Sequence, residues 1–182
     1  MLLANQREFL LQQELFTLKD KVDIMNPVSQ ATIGHFERKI FSLRTLYRLY
    51  GPTDGIELIV QQKLLAARPT FKFFAGNPTG EPEDAGLLGE LKRKVLAFTP
   101  DYWFEAPDGQ RQFEVKGNFL GFKYEVTQDE REIAGISRTF WAIRDTYGLK
   151  IDPGVSDQLA LLILASVIVI HAIHEQERHR SR

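Results

Sequence analysis

Few side chains in this sequence are spaced so that they could do chemistry together. His171 and His174 stand three apart, with Glu175 beside the second and His179 further on. On a helix that spacing can offer two imidazoles to one metal ion. The simpler reading is that the pair marks where a helix leaves its core, with His171 hydrogen-bonded inside and His174 near water, and no metal is expected. Two basic clusters, Arg38-Lys39 and Lys92-Arg93-Lys94, fall in segments that read as strands. Successive residues of a strand face opposite ways, so Lys92 and Lys94 share a face that Arg93 does not. Asp101, Glu105, Asp145 and Asp152 lie near turns, where acids are common, and nothing pairs two of them. Gly-x-Ser-x-Gly, P-loop and His-Glu-x-x-His patterns are all missing, so neither an enzyme nor a cofactor is expected. Trp103 and Trp141 read as core or barrel-wall residues rather than a stacking platform for a ligand.

Composition narrows the classes further. A chain of 182 residues is long enough to bury a substantial core in one domain. Its formal net charge of -1 gives no overall pull toward nucleic acid or an anionic surface. Having no cysteine excludes disulfides, thiolate metal sites, a cysteine nucleophile and palmitoylation. The start, MLLANQREFLLQQELF, has neither a basic leader nor an unbroken apolar segment, so a cytoplasmic protein is expected.

The elements that must position these residues are of two kinds. From Arg7 to Ile151 the pattern is short alternating segments. Val22 and Ile24, Phe71 and Phe73, Phe113 and Val115, and Tyr124 and Val126 each flank a charged residue. A period of two with one apolar face predicts antiparallel sheet. Turn residues at Asn26-Pro27, 51–55, 107–109 and 152–154 punctuate it. The spacing predicts about twelve strands, starting near residues 7, 19, 30, 43, 55, 69, 88, 101, 111, 121, 130 and 145. Residues 77–86, with two prolines and three acids, read as a mobile loop or linker. Sliding the sequence by 76 residues lays Gln61–Phe73 over Ser137–Leu149, aligning Ala66 with Ala142, Arg68 with Arg144 and Thr70 with Thr146. This suggests a duplication into halves of about 7–76 and 88–152 within a single domain spanning 1–182.

The second kind is the run LALLILASVIVIHAI, Leu159 to Ile173, apolar on every side of a helical wheel. Such a helix must be buried in protein or in a bilayer. Its fifteen residues rise about 22 Å, short of the roughly 30 Å hydrocarbon core of a bilayer. About twelve strands closed into a barrel leave an interior too wide for their own side chains to fill. The helix, expected over about 156–176, is a plug of the right kind. Ser156 is placed to cap it, Asp157 lies where the helix dipole favours an anion, and Arg178, Arg180 and Arg182 follow the end that favours cations.

Two stretches resemble a known family. Asp101–Phe119, DYWFEAPDGQRQFEVKGNF, is similar to the strand-turn-strand signature of the LURP-one-related family. Asp145–Ile173, the last strand running through Asp-Pro-Gly into the apolar helix, resembles its C-terminal end. The likeness spans about Gln6 to Ile173. It implies the Tubby C-terminal-like fold: a closed antiparallel barrel of about twelve strands enclosing a C-terminal hydrophobic helix. It also implies a non-enzymatic module, cytoplasmic or peripheral at the membrane, that binds phospholipid or phosphoinositide headgroups, with a scramblase-like role at its furthest reach. Carried onto this chain, the headgroup-binding stretch of the Tubby relatives falls on Lys63, Arg68 and Lys72, three cations in place of a dense basic run. The calcium-binding acids near the scramblases' terminal helix reduce to Asp152 and Asp157, without the ligand spacing of a calcium loop. A structural or protein-interaction scaffold without lipid affinity is the alternative, with Lys63, Arg68 and Lys72 as ordinary solvated barrel surface.

Overall fold

The structure, a computed structural model, describes residues 6–13, 21–41, 44–95, 101–118, 123–138 and 146–180. Twelve strands run in chain order: β1 Glu8–Gln13, β2 Lys21–Met25, β3 Thr32–Phe41, β4 Arg44–Tyr50, β5 Ile56–Gln62, β6 Thr70–Ala75, β7 Leu87–Arg93, β8 Tyr102–Glu105, β9 Arg111–Asn118, β10 Lys123–Gln128, β11 Arg131–Arg138 and β12 Thr146–Ile151. Each pairs antiparallel with its sequence neighbours, and β1 pairs with β12 to close the barrel. A single helix, α1, Asp157–Arg180, follows β12. The expected strand starts lie within two residues of those observed. The offset of 76 carries Thr70, first residue of β6, onto Thr146, first residue of β12, and both are buried.

Alternation explains the core. Phe9 and Leu11 of β1, Tyr47 and Leu49 of β4, Phe71 and Phe73 of β6, Phe113 and Val115 of β9, and Tyr147, Leu149 and Ile151 of β12 all point inward. They meet α1, whose residues from Ala160 to His171 are all buried. By length and composition Asp157–His174 is apolar enough to cross a membrane, but 67% of that window is buried inside the barrel. The helix runs past the expected end near residue 176, to Arg180. The last turns are polar and lie beyond the apolar pattern from which that end was read.

Its start is tied down. The Leu159 amide donates to Ser156 Oγ at 3.3 Å, the expected cap. Arg7, just before β1, donates to the Val155 carbonyl at 2.9 Å and to Asp157 Oδ1 at 2.7 Å. Asp152 accepts from Arg131 Nη2 at 2.5 Å and from the Gly154 amide at 2.7 Å. Both acids considered for calcium are therefore engaged in holding the chain where it turns from strand into helix.

Of the two readings of residues 77–86, loop or linker, the structure shows a loop, and one anchored to the barrel wall. Arg48 lies buried on the outer side of β4, where its Nε donates to the Gly80 carbonyl at 2.7 Å and its Nη2 to Glu81 Oε1 at 3.0 Å. Asn77 Oδ1 accepts from the Gly80 amide at 2.8 Å, and a short 3₁₀ turn at Asp84–Gly86 leads into β7. Gly80 has φ +66, and a Cβ there would stand 2.7 Å from Arg48 Nε, so only glycine suits the approach. The loop is polar because it meets water on one side and a buried guanidinium on the other.

One polar group stands out inside. Ser166 of α1 is fully buried, and its hydroxyl has no hydrogen-bond partner among the described residues. An orphaned buried hydroxyl costs about 1–3 kcal/mol. Ser166→Ala is therefore expected to raise stability, by about 1 kcal/mol after the loss of packing, read as a higher urea midpoint with an unchanged slope.

Candidate functional site

The last residues of the odd strands and the first residues of the even strands that follow them lie at one end of the barrel. The helix α1 emerges there, with His174 against Tyr102 and Glu177 against Arg93. The β5–β6 loop, residues 63–69, stands at this end on a fixed base. The Lys63 amide donates to the Thr70 carbonyl at 2.9 Å, Thr70 Oγ1 to the Arg68 carbonyl at 3.1 Å, and the Arg93 amide to the Pro69 carbonyl at 3.1 Å.

Between this loop and the outer faces of β7 and β8 lies an open groove of about 460 Å³, lined by Lys63, Leu65, Arg68, Thr70, Lys92 and Trp103 together with Glu90 and Glu105. Strand register brings these side chains together, since Lys92 lies opposite Trp103 and Glu90 opposite Glu105. The Lys92 ammonium bridges Glu105 and Glu90, and the Trp103 Nε1–H donates to Glu105 Oε1 at 2.6 Å. Hydrogen bonds from Lys92 and then Trp103 hold the Glu105 carboxyl below its ordinary range, and the Glu105 bond does most to hold the Lys92 ammonium above its own. Arg68 and Arg111 each place a guanidinium carbon 5.3 Å from the centre of the Trp103 ring, within cation–π reach. Lys92 thus offsets one of the groove's two negative charges while hydrogen-bonding both carboxylates, and Lys63 and Arg68 leave the lining with one net positive charge. Lys63 and Arg68 are exposed and have no carboxylate partner among the described residues.

A larger trough of about 820 Å³ crosses the outer faces of β9–β12. Its lining balances Lys116, Lys123 and Lys150 against Glu125, Glu132 and Asp152, and of these Lys116 pairs with Glu114, Lys150 with Glu8 and Asp152 with Arg131. Inside the barrel, the space between α1 and strands β1, β2 and β10–β12 amounts to about 20 Å³, about the room one water needs. The helix fills the cavity that a ligand-carrying barrel would keep open.

Where α1 leaves the barrel, the two histidines engage different tyrosines. The His171 ring lies 4.9 Å from that of Tyr147. His174 Nε2 is hydrogen-bonded to the Tyr102 hydroxyl at 3.1 Å, and its Nδ1 lies 3.4 Å from Glu177 Oε2. Glu177 also pairs with Arg93 at 2.5 Å. Among the described residues no three metal-binding side chains gather. Burial, reinforced by the charge of Arg93, pushes the His174 imidazole below its ordinary value against the pull of Glu177, and burial raises the Tyr102 phenol.

The sequence pattern of the LURP-one-related family matches residues 7–171. The chain belongs to the LURP-one-related family. A crystal structure of a protein from Arabidopsis thaliana has the same fold: the superposition has a TM-score of 0.64 and covers 93% of this chain and 92% of that one at 14% identity. No curated protein matches the sequence.

In this LURP-one-related barrel two of the three candidate cations line the groove. Lys63 and Arg68 share the groove; Lys72, on the outer side of β6 opposite Gln61 and Glu90, stands outside its lining. Lys92 and Lys94 do not share a strand face, because β7 ends at Arg93. Trp103 is on the barrel wall, as expected, whereas Trp141, Arg144 and Asp145 lie outside the described residues. The Arg111–Trp103–Arg68 cluster escaped sequence reasoning. Its one legible signal was Trp103 alternating with the inward-facing Tyr102 and Phe104.

His174 sets an expected pH dependence. Its folded-state proton affinity is lowered, so between the unfolded and folded pKa values the unfolded chain binds more protons. The associated stability is complete above the unfolded value of about 6.5 and declines as pH falls below it. Thermal melts from pH 8 to pH 5 should show this decline, and His174→Gln should flatten it. An unchanged slope in the variant would assign the decline to other groups.

Proposed function

We propose that this LURP-one-related protein is a non-enzymatic binding module that associates peripherally with anionic phospholipid or phosphoinositide headgroups on the cytoplasmic side of a membrane. One observation carries the reading: Lys63 and Arg68 stand exposed on one braced loop, in a groove whose three cations outnumber its two carboxylates, both already hydrogen-bonded to Lys92. Arg68 is also steadied over the Trp103 ring, so less side-chain freedom is lost when it meets a phosphate. Lys72 lies nearby on the outer wall, where it adds to the local field rather than to the groove.

Flotation at low salt with phosphatidylcholine vesicles, with and without phosphatidylserine or a phosphoinositide, tests this reading. Binding is expected only to the anionic vesicles. The double change Lys63→Glu with Arg68→Glu is expected to weaken it at least about thirtyfold, since each cation contributes about 1 kcal/mol near such a surface. Absence of binding to every vesicle sinks the lipid reading and leaves a protein-interaction scaffold.

A further inference from the structure

Four large apolar side chains are exposed among the described residues: Val28 at 91%, Leu64 at 58%, Leu65 at 95% and Val95 at 60%. Three of them stand at the end of the barrel where α1 emerges. Leu64 and Leu65 stand exposed on the β5–β6 loop, and Val95 follows Lys94 in the connection from β7 to β8. β6 and β7 are neighbours, and the Arg93 amide bonded to the Pro69 carbonyl ties the two connections together. Val28 lies in the β2–β3 turn at the opposite end.

We infer that this end is a membrane-insertion face, with Leu64 and Leu65 entering the boundary between headgroups and acyl chains while Lys63 and Arg68 meet phosphates above them. The inference rests on the lipid reading and adds its orientation and depth. Cations sit on both sides of the leucines in sequence, Lys63 before and Arg68 after, and Lys94 is exposed beside Val95. That order of charge, apolar pair and charge complements an anionic interface, where apolar side chains sink below the headgroups and long cationic ones reach back to them. A stable protein partner would need roughly 800 Å² from each side, which two leucines and a valine do not supply. A bilayer needs only the exposed leucines. The loop is also held in shape by its backbone hydrogen bonds and by Arg68 over Trp103, so insertion does not first have to order it.

The cysteine-free chain permits a clean experiment. Leu65→Cys and Val28→Cys, each in the full-length protein and carrying an environment-sensitive NBD label, are mixed with phosphatidylcholine vesicles containing phosphatidylserine and lipids bearing a quencher on the acyl chain. The label at Leu65→Cys should brighten, shift to the blue and be quenched from the acyl region; the label at Val28→Cys should do none of these. In parallel, Leu64→Ser with Leu65→Ser should lower vesicle affinity at least about tenfold while leaving the melting temperature unchanged, as both leucines are exposed. Equal responses at the two ends, or binding unaffected by the serine changes, overturn the insertion face and leave headgroup binding standing. Wild-type protein that binds no vesicle overturns both.

Discussion

Removing everything after Gly154 is expected to leave insoluble, unfolded protein. The residues Ala160 to His171 are buried throughout their length, surrounded by inward-facing side chains from the strands. Taking them away empties a cylinder about 10 Å across and about 18 Å long. At about 24 cal/mol for each Å³ of cavity, that loss exceeds the 5–15 kcal/mol by which domains are stable. The strands cannot collapse to fill it, because the twelve-stranded circuit fixes the diameter. Sedimentation after expression and far-UV circular dichroism of any soluble fraction are the measurements. A soluble, folded truncation would show that the strands close without α1 and that the helix is an appendage.

The second large effect needs one residue. Ile163 is fully buried at the barrel axis, and Ile163→Asp places a carboxylate where nothing can pair with it. An unpaired charge at such a site costs several kcal/mol even after it takes up a proton, in addition to the loss of the packed side chain. The variant should fail to fold at neutral pH, and Val167→Asp, one turn further on, should behave alike. Ile163→Val, by comparison, should cost only about 0.5–1.5 kcal/mol. A change at Leu65 of similar chemical severity should hardly alter the melting temperature, because that side chain is exposed. If Ile163→Asp instead gave a cooperative near-UV melt close to wild type, the burial of α1 would be refuted.

The architecture was open to reading from sequence because both of its periods are clean. Alternation at pairs such as Phe71 and Phe73 revealed the strands, and the uninterrupted apolar circumference of Leu159–Ile173 revealed the plug. What stayed hidden depends on neighbours across strands. Trp103 meets Arg68 and Arg111 only through the registers of β7 with β8 and β8 with β9. The resemblance grouped Lys72 with Lys63 and Arg68, yet Lys72 stands two residues further along the outer face of β6 than Thr70, outside the groove lining. Residues 77–86 carried the composition of a linker because their main partner, the Arg48 guanidinium, lies more than one strand away in sequence. Leu64 and Leu65 carry no signal of their exposure in the sequence around them. Nothing local distinguishes a leucine that faces a core from one exposed on a loop.

The seam between β1 and β12 sets a timetable for synthesis. Glu8 pairs with Lys150, and the Ile151 amide donates to the Arg7 carbonyl at 2.7 Å. The first strand to leave the ribosome therefore waits for the last, and α1, which must end up enclosed, is made after both. At about 5–20 residues per second, β1 keeps an unpaired edge for several seconds or longer. Contacts so distant along the chain also form slowly. The barrel cannot be completed before α1 has been made, and chaperones that shield strand edges are expected to raise the yield of this barrel more than that of a helical domain of equal length.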